Sequence, residues 1–217
     1  MYYDVHCHKS NNIPDISSII NLDLCNNIQI DKDKYYSVGI HPWHIKSSSK
    51  QLLDVIEKNI LEQNIIALGE IGLDKKCTTS YAEQIVFFAE QIKIADSINK
   101  PIIIHCVKAY QEIIEYRKNS TVPWIIHGFN GSEKLAEQLI NKNIYLSFGK
   151  TILNRKSKSF RFFSHIPLES IFLETDIHNV NIKDIYKQAA KLKNISINDM
   201  VNQIQINFEK VFKITNE

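Results

Sequence analysis

Residues 65–74 read IIALGEIGLD, a nearly continuous apolar run with one carboxylate, Glu70, in its middle. Apolar runs without polar alternation are typical of strands buried on both faces of a parallel sheet. Burying an unpaired carboxylate is costly, so Glu70 needs a metal ion or a cationic neighbour. Taken alone, Glu70 is explained most simply by a buried salt bridge.

Similar runs lie before and after this one along the chain. The eight candidate strands are 2–8, 17–24, 34–41, 64–71, 101–106, 122–128, 143–148 and 169–175. Helical patterns cover 49–62, 79–98, 108–118, 131–141, 181–192 and a stretch near 196–212. This alternation predicts an α/β fold, a TIM-type (β/α)8 barrel. The links 9–16 and 25–33 look too short or polar for full helices, so we expect a barrel that lacks some early helices.

Length and composition favour one ordinary domain. The chain has 217 residues, 44% of them hydrophobic and 23% charged, which is close to the soluble globular average. Barrels of this kind run as single domains of about 200 to 250 residues, so we expect one domain over 1–217. The start MYYDVHCH does not resemble a secretory signal, and no apolar stretch approaches a bilayer span, so we expect a cytoplasmic protein without a membrane partner.

Cysteine usage and net charge indicate the redox state of the thiols and the kind of partner that the protein binds. The cysteines show no CxxC pair, and we therefore expect reduced thiols without a structural disulfide; they are Cys7, Cys25, Cys77 and Cys106. A net charge of +2 argues against a broad nucleic-acid footprint. One basic cluster lies between 150 and 161, where a solvated helix face is the ordinary explanation; it contains Lys150, Arg155, Lys156, Lys158 and Arg161.

Six candidate metal ligands share one position, at the trailing end of a strand-like run. They are His6, His8, Glu70, His105, His127 and Asp176. In a parallel barrel the carboxyl ends of the strands converge, so ligands distant in sequence can meet around a metal. An HxH pair alone is more often two polar strand residues than a metal site. The other four candidate ligands make a metal site the better interpretation.

The first of these runs places several polar groups on one face. Side chains at positions i and i+2 of a strand point the same way, so Asp4, His6 and His8 share a face. Cys7 points the other way and is interpreted as buried packing. Asp4 is a candidate for a supporting carboxylate that accepts the free ring N–H of His6.

Seven short blocks in chain order resemble one known family over nearly the whole chain. The blocks are DVHCH, GIHPWH, ALGEIGLD, PIIIHC, IIHGFNGS, FLETD and INFEKVF. They are similar to the blocks of TatD-type metal-dependent hydrolases, the deoxyribonuclease-like branch near the amidohydrolase superfamily. The resemblance implies a barrel that cleaves phosphodiester bonds of DNA with a metal-activated water.

The resemblance also implies roles for the candidate ligands. One divalent ion would be held by His6, His8 and Asp176, and a second by His105 and His127. Glu70 would bridge both ions and is therefore expected to be essential for catalysis. Independently, the position of Asp176 at the end of the last strand makes it the expected proton shuttle. Four imidazoles and two carboxylates without a thiolate suit Zn²⁺, Mn²⁺ or Fe and permit Mg²⁺.

Substrate contacts are less specific. His41 is expected to face the substrate, Lys108 and the basic cluster to meet phosphates, and His178 to add a polar contact, whereas His44 is interpreted as a surface residue. The arginine expected after His105 is absent, and lysine does not reproduce its bidentate phosphate contact.

We therefore expect single-stranded ends or short DNA as the partner, with no obligate protein partner. Two alternatives remain open at the level of sequence. The same bimetal site could hydrolyse a small phosphoester, lactone or amide, or the chain could bind metal without catalysis.

Overall fold

The computed structural model describes residues 1–9, 13–22, 30–46 and 49–214. Its strands lie in one sheet in chain order. They are β1 Tyr2–Cys7, β2 Ile16–Leu22, β3 Tyr35–Val38, β4 Ile65–Asp74, β5 Ile102–Val107, β6 Trp124–Ile126, β7 Ile144–Phe148 and β8 Ile171–Leu173. The pairs β1–β2, β3–β4, β4–β5 and β7–β8 are parallel. Each predicted strand is present, although residues 23 and 24 of the second one lie outside the described residues.

The last strand returns to the first, which closes the strand order on itself. Cys7 and Asp176 form a parallel bridge between β1 and the segment after β8. The Asp176 N–H donates to the His6 carbonyl at 2.9 Å, and the His8 N–H donates to the Asp176 carbonyl at 3.3 Å. This is the topology of a (β/α)8 barrel, and it confirms the predicted fold class.

Helices follow the later strands. They are α1 Ser49–Asn59, α2 Tyr81–Ile98, α3 Tyr110–Arg117, α4 Glu133–Ile140, α5 Lys158–Phe162, α6 Ile182–Lys193 and α7 Ile197–Phe212. Six of them match predicted helices, whereas the short α5 was not predicted. In the links 9–16 and 25–33, the described residues contain no helix, and residues 10–12 and 25–29 of those links lie outside the described residues.

The chain divides into two compact units. The first unit combines Met1–Ile20 with Ile126–Glu217, and the second unit is Asn21–Ile125. In the first unit, α6 and α7 pack on β1 through Tyr3. The Tyr3 ring stacks on Phe208 with centroids 4.1 Å apart, and the Tyr186 hydroxyl accepts from the Tyr3 N–H and donates to its carbonyl, each at 3.0 Å.

In the second unit, α2 covers β4, whose ten residues are all buried. The apolar stripe predicted on α2 is present in part, since Phe88, Ile92 and Ala95 are buried, whereas Ile85 and Ala89 are partly exposed. Two glutamines of α2, Gln84 and Gln91, are buried as well.

Gln84 and Gln91 satisfy backbone groups at the strand ends. Gln84 accepts from the Asp74 N–H at 2.8 Å. Gln91 accepts from the Ile40 N–H at 2.6 Å and donates to the Ile40 carbonyl at 3.3 Å. Because unpaired buried backbone groups are costly, these amides fix the two strand ends where candidate site residues lie.

Close approach of β4 and β5 requires glycine at position 72. Gly72 pairs with His105 and has a φ of +151°. A Cβ at Gly72 would lie 1.9 Å from the His105 carbonyl oxygen. Glycine therefore lets Glu70 and Asp74 flank His105.

Two further expectations concern cysteines and membranes. Cys7, Cys77 and Cys106 are free thiols, and Cys25 lies outside the described residues. Cys7 is buried and packs against the Ile19 carbonyl, as predicted. Of the helices in the described ranges, none combines the length and the hydropathy that a bilayer crossing requires.

Candidate metal sites

In the first unit, three candidate ligands converge: His6, His127 and Asp176. Each offers a ligand atom, and these atoms lie within 4.8 Å of one another. We call this set the first donor group. His6 is fully buried, and its Nε2 lies 3.6 Å from Asp176 Oδ1. His8 Nε2 lies at the same distance, 3.6 Å, from that oxygen, but its side chain is 36% exposed.

The backbone of Asp176 positions its carboxylate beside the two histidines. Its φ is +55°, in the left-handed region that aspartate adopts more readily than most residues. Its backbone hydrogen bonds to His6 and His8 hold the residue in this conformation. Such backbone geometry costs free energy and is concentrated at functional positions.

Asp4 is a buried carboxylate of β1, two residues before His6. Its carboxylate accepts from the Thr175 N–H at 2.9 Å and from the Thr175 hydroxyl at 2.6 Å. Burial raises the pKa of Asp4 to about 7, although the Thr175 bonds and the charge of His6 oppose the rise. Asp4 thus joins β1 to the end of β8, and its expected role in orienting His6 stays a prediction.

Glu174 is a site residue to which the sequence assigned no role. It is 1% exposed, and its Oε1 accepts from the Gly128 N–H at 2.6 Å and lies 3.5 Å from His127 Nδ1. Among the described residues, its buried Oε2 has no hydrogen-bond partner. A buried carboxylate with an unpartnered oxygen beside the His127 imidazole fits a site that receives a cation.

In the second unit, His41, Glu70 and His105 form a second donor group, whose ligand atoms lie within 4.8 Å of one another. Glu70 Oε1 lies 2.8 Å from His105 Nδ1 and 3.2 Å from His41 Nε2. The Glu70 N–H donates to Asn21 Oδ1 at 2.7 Å, which fixes the strand at this point. Glu70 is buried, as its apolar surroundings in the sequence predicted.

Burial lowers the pKa of His41, although the nearby Glu70 carboxylate opposes this effect. The neutral imidazole that burial favours is the form that binds metal ions. The structure thus brings His41 among the ligand candidates of the second unit, whereas the sequence placed it beside them, facing the substrate.

Asp74 supports the second donor group and was also not singled out from the sequence. Its Oδ2 accepts from the Trp43 indole N–H at 2.6 Å and lies 3.4 Å from His105 Nε2. Its Oδ1 accepts from the Lys76 N–H at 2.7 Å. Burial raises the pKa of Asp74, but these bonds outweigh burial and hold the pKa below its usual range. An ionised Asp74 can therefore orient His105, as carboxylates do for metal-binding histidines.

A sequence signal for Asp74 existed. Glu70 and Asp74 are four residues apart in one strand, a spacing that places both side chains on the same face. Glu174 lies two residues before Asp176 in the FLETD block, a spacing that would place both on one face of a strand, although the observed β8 ends at Leu173.

Apart from His41, which is half-buried, the expected substrate contacts are exposed. Lys108 follows β5 with a φ of +55°, and His178 follows Asp176, with its N–H bonded to the Thr175 carbonyl. His44 is a surface residue whose ring centroid lies 5.6 Å from that of His41. The basic residues between 150 and 161 are exposed on a 3-10 turn at Lys150–Leu153, on α5 and in the link between them.

The chemistry of both donor groups fits divalent metal ions. Imidazole and carboxylate donors without thiolate suit Zn²⁺, Mn²⁺ and Fe and permit Mg²⁺. The structure groups His127 with His6 and Asp176, whereas the resemblance implied that His127 shares an ion with His105. The assignment of each ligand to a particular ion stays a prediction.

A (β/α)8 barrel with histidine and carboxylate clusters at its strand ends has the architecture of a metal-dependent hydrolase. A family model described as TatD related DNase matches residues 13–213. The chain therefore belongs to the TatD family of metal-dependent hydrolases, which confirms the resemblance inferred from the seven blocks.

Individual relatives agree with this assignment. An uncharacterized metal-dependent hydrolase of Bacillus subtilis, YabD, is 27% identical over 198 residues, which cover 83% of this chain and 78% of the relative. The human 3'-5' RNA nuclease TATDN2 is 33% identical over 150 residues, which cover 64% of this chain but 19% of that protein. The crystal structure of the TatD homologue YjjV from Escherichia coli matches with a TM-score of 0.80 and 21% identity, over 99% of this chain and 98% of that one, and supports the barrel fold.

Proposed function

We propose that this chain hydrolyses phosphodiester bonds at single-stranded ends of DNA, with divalent metal ions held by the two donor groups. The observation that carries the proposal is the convergence of six histidine and carboxylate side chains into two buried or half-buried groups, in a chain of the TatD family. The human relative named an RNA nuclease adds support for a nucleic-acid substrate.

In this proposal, the ligands are His6, His8, His127 and Asp176 in the first unit and Glu70, His41 and His105 in the second. A bound divalent cation would act as a Lewis acid toward a phosphate oxygen and would lower the pKa of water. The bridging role implied for Glu70 stays a prediction.

Asp176 is the proposed proton acceptor. Its side chain is 22% exposed, so water and substrate can reach the carboxylate while His6 and His8 lie 3.6 Å from it. The carboxylate takes a proton from the attacking water and returns it to the leaving oxygen. Glu70 and Glu174 are much less exposed, which makes them less suited to exchange protons with solvent.

Exposed cations are proposed to hold the phosphates of the strand. Lys108 directly follows β5, the strand that carries His105, and the basic residues between 150 and 161 follow β7. His178, two residues after Asp176, is proposed as a further polar contact. Because the net charge is only +2, the phosphate contacts are local, which favours a strand end over a long duplex.

A substrate panel tests the proposal. Metal-loaded protein is assayed on single-stranded DNA, RNA, duplex DNA, a small phosphodiester and a set of lactones. We expect cleavage of single-stranded DNA that chelation abolishes and added metal restores, with slower cleavage of blunt duplex. Equal or faster cleavage of intact duplex would contradict the preference for strand ends, and no phosphodiester cleavage with any metal would refute the proposal.

A small-ester substrate is the second candidate. It is favoured by the absence of an arginine after His105, where the chain reads Cys106, Val107, Lys108 and Ala109. Without a bidentate phosphate contact, a charged strand is held less firmly than in a site that has one. Turnover of a lactone or a small phosphoester, with none of any oligonucleotide, would favour this candidate.

A further inference from the structure

We infer that Trp43 is a stacking platform for the unpaired base next to the scissile phosphate. The inference rests on the proposed function and names the part of the substrate that the second unit recognises. Trp43 is 58% exposed, although tryptophan is among the side chains that gain most from burial. The other tryptophan of the chain, Trp124, is fully buried.

Trp43 is exposed but held in a fixed orientation. Its indole N–H donates to Asp74 Oδ2 at 2.6 Å, and its backbone N–H donates to His41 Nδ1 at 3.1 Å. It lies in the 3-10 turn Pro42–His44, whose first residue is a buried proline. Because the polar edge of the indole is bonded and its backbone is constrained, little conformational entropy remains to be lost when a ligand covers the ring.

The ring also lies next to the second donor group. Its centroid is 5.0 Å from that of His41, with an interplanar angle of 87°. It is 5.8 Å from that of His105, at 75°. Both imidazoles therefore approach the indole nearly edge to face and do not cover it as a stacked ring would.

An exposed indole beside a candidate phosphodiester site has a chemically defined occupant. Every nucleobase has a flat face that stacks on an aromatic ring, and stacking of this kind holds single strands without sequence preference. A base inside a duplex is already stacked on both faces and is not available. The platform therefore gives a physical reason for the preference for unpaired ends, which the small net charge alone does not supply.

Equilibrium binding of short oligonucleotides separates stacking from phosphate contact. The ligands are a single-stranded tetranucleotide with phosphorothioate linkages and the same strand with an abasic sugar at its end. We expect the intact strand to quench the indole fluorescence of Trp43 when it binds the wild-type chain. Its affinity for Trp43→Leu should be about 5- to 150-fold lower, because losing one base–aromatic stack costs about 1–3 kcal/mol. The abasic strand should bind both chains alike.

Two further variants identify the cause of any loss. Trp43→Phe retains an aromatic face but loses the bond to Asp74, so we expect most of the binding to remain. Equal loss in Trp43→Phe and Trp43→Leu would show that the Asp74 bond matters and stacking does not, and would overturn the inference. Leu61→Ala is the matched control, because Leu61 is also an exposed apolar side chain, 70% exposed. This variant should bind both strands like the wild-type chain.

Failure of the inference and failure of the proposed function give different results. If the wild-type chain cleaves single strands but Trp43→Leu binds and cleaves them equally well, the inference is wrong and the nuclease proposal stands. If base-dependent binding requires Trp43 while no phosphodiester is cleaved with any metal, the stacking platform stands and the hydrolytic proposal fails.

Discussion

Asp176 combines three properties that distinguish it from the other carboxylates: partial exposure, a left-handed backbone and two histidines at 3.6 Å. We predict that Asp176→Asn lowers kcat by about 10²- to 10⁴-fold, because the amide cannot accept the proton of the attacking water. Steady-state kinetics and metal content should be measured on the same preparation. Asp54→Asn, on the exposed side of α1, is the control, and full activity of Asp176→Asn would show that the shuttle is assigned wrongly.

Asp74 supports His105 by accepting bonds on both carboxylate oxygens. We predict that Asp74→Asn weakens metal binding by about 10- to 100-fold, the usual effect of losing a carboxylate that orients a metal-binding histidine. Calorimetric titration with Mn²⁺ or Zn²⁺ measures the change. Asp15→Asn removes an exposed ion pair with Lys183 and should leave the affinity unaltered; an equal loss in both variants would argue against a specific role for Asp74.

The sequence predicted the candidate ligands better than their supporting residues. Glu70 and His105 lie in the carboxyl-terminal halves of β4 and β5, and Asp176 follows β8, so the apolar runs alone indicate where they lie. The roles of Asp74, Glu174 and Trp43 depend on partners from other segments, such as the bond between Trp43 and Asp74, which are 31 residues apart. A single sequence does not reveal such a pair, because no periodic strand or helix pattern connects two residues in different segments.

At the scale of elements, the junction of β4 and β5 depends on Gly72. Gly72→Ala adds a methyl group 1.9 Å from the His105 carbonyl oxygen, so the strands must separate. We predict a loss of about 2–4 kcal/mol in the free energy of unfolding, at the upper end of ordinary point mutations. Gly128→Ala is the control, because Gly128 also has a positive φ but its Cβ would have 3.8 Å of clearance; it should cost about 1–2 kcal/mol. Denaturant titration of both variants gives the comparison, and equal losses would show that the close approach is not what matters.

The contact of α2 with the end of β3 gives a second prediction at this scale. Gln91→Leu leaves the Ile40 N–H and carbonyl without the bonds that Gln91 makes. We expect the free energy of unfolding to fall by about 1–3 kcal/mol. Metal affinity should fall as well, because Ile40 precedes His41. Gln138→Leu, an exposed substitution on α4, is the control, and its stability and metal affinity should stay near the wild-type values. Unchanged stability in Gln91→Leu would show that the Gln91 bonds do not stabilise this strand end.

Strands and long helices could be predicted because burial imposes a pattern on them. The short elements could not, since α5 spans five residues, Lys158–Phe162, which is less than two helical turns and too few for a periodic pattern. Its start depends on the Ser157 hydroxyl, which accepts from the Phe160 N–H. The buried glutamines of α2 also departed from expectation, because a polar residue inside an apolar stripe is visible only once its backbone partner is known.

At the scale of the whole molecule, each compact unit contributes one donor group. The first group draws its ligands from both ends of the chain, because His6 lies near the start and Asp176 near the end. The resemblance implied two ion sites, whereas the structure divides the ligands differently: His127 groups with His6 and Asp176, and His41 groups with Glu70 and His105. We expect both groups to bind divalent cations.

Metal content measured by plasma mass spectrometry tests directly whether each group binds a divalent cation. The wild-type chain, reconstituted with Zn²⁺ or Mn²⁺ and then dialysed, is compared with a His6→Ala, His127→Ala variant and with a His41→Ala, His105→Ala variant. Circular dichroism verifies that each chain is folded. We predict about two ions per wild-type chain and about one in each variant, since each pair of substitutions removes two of three donors from one group. A folded wild-type chain that retains no ion after reconstitution would contradict the account.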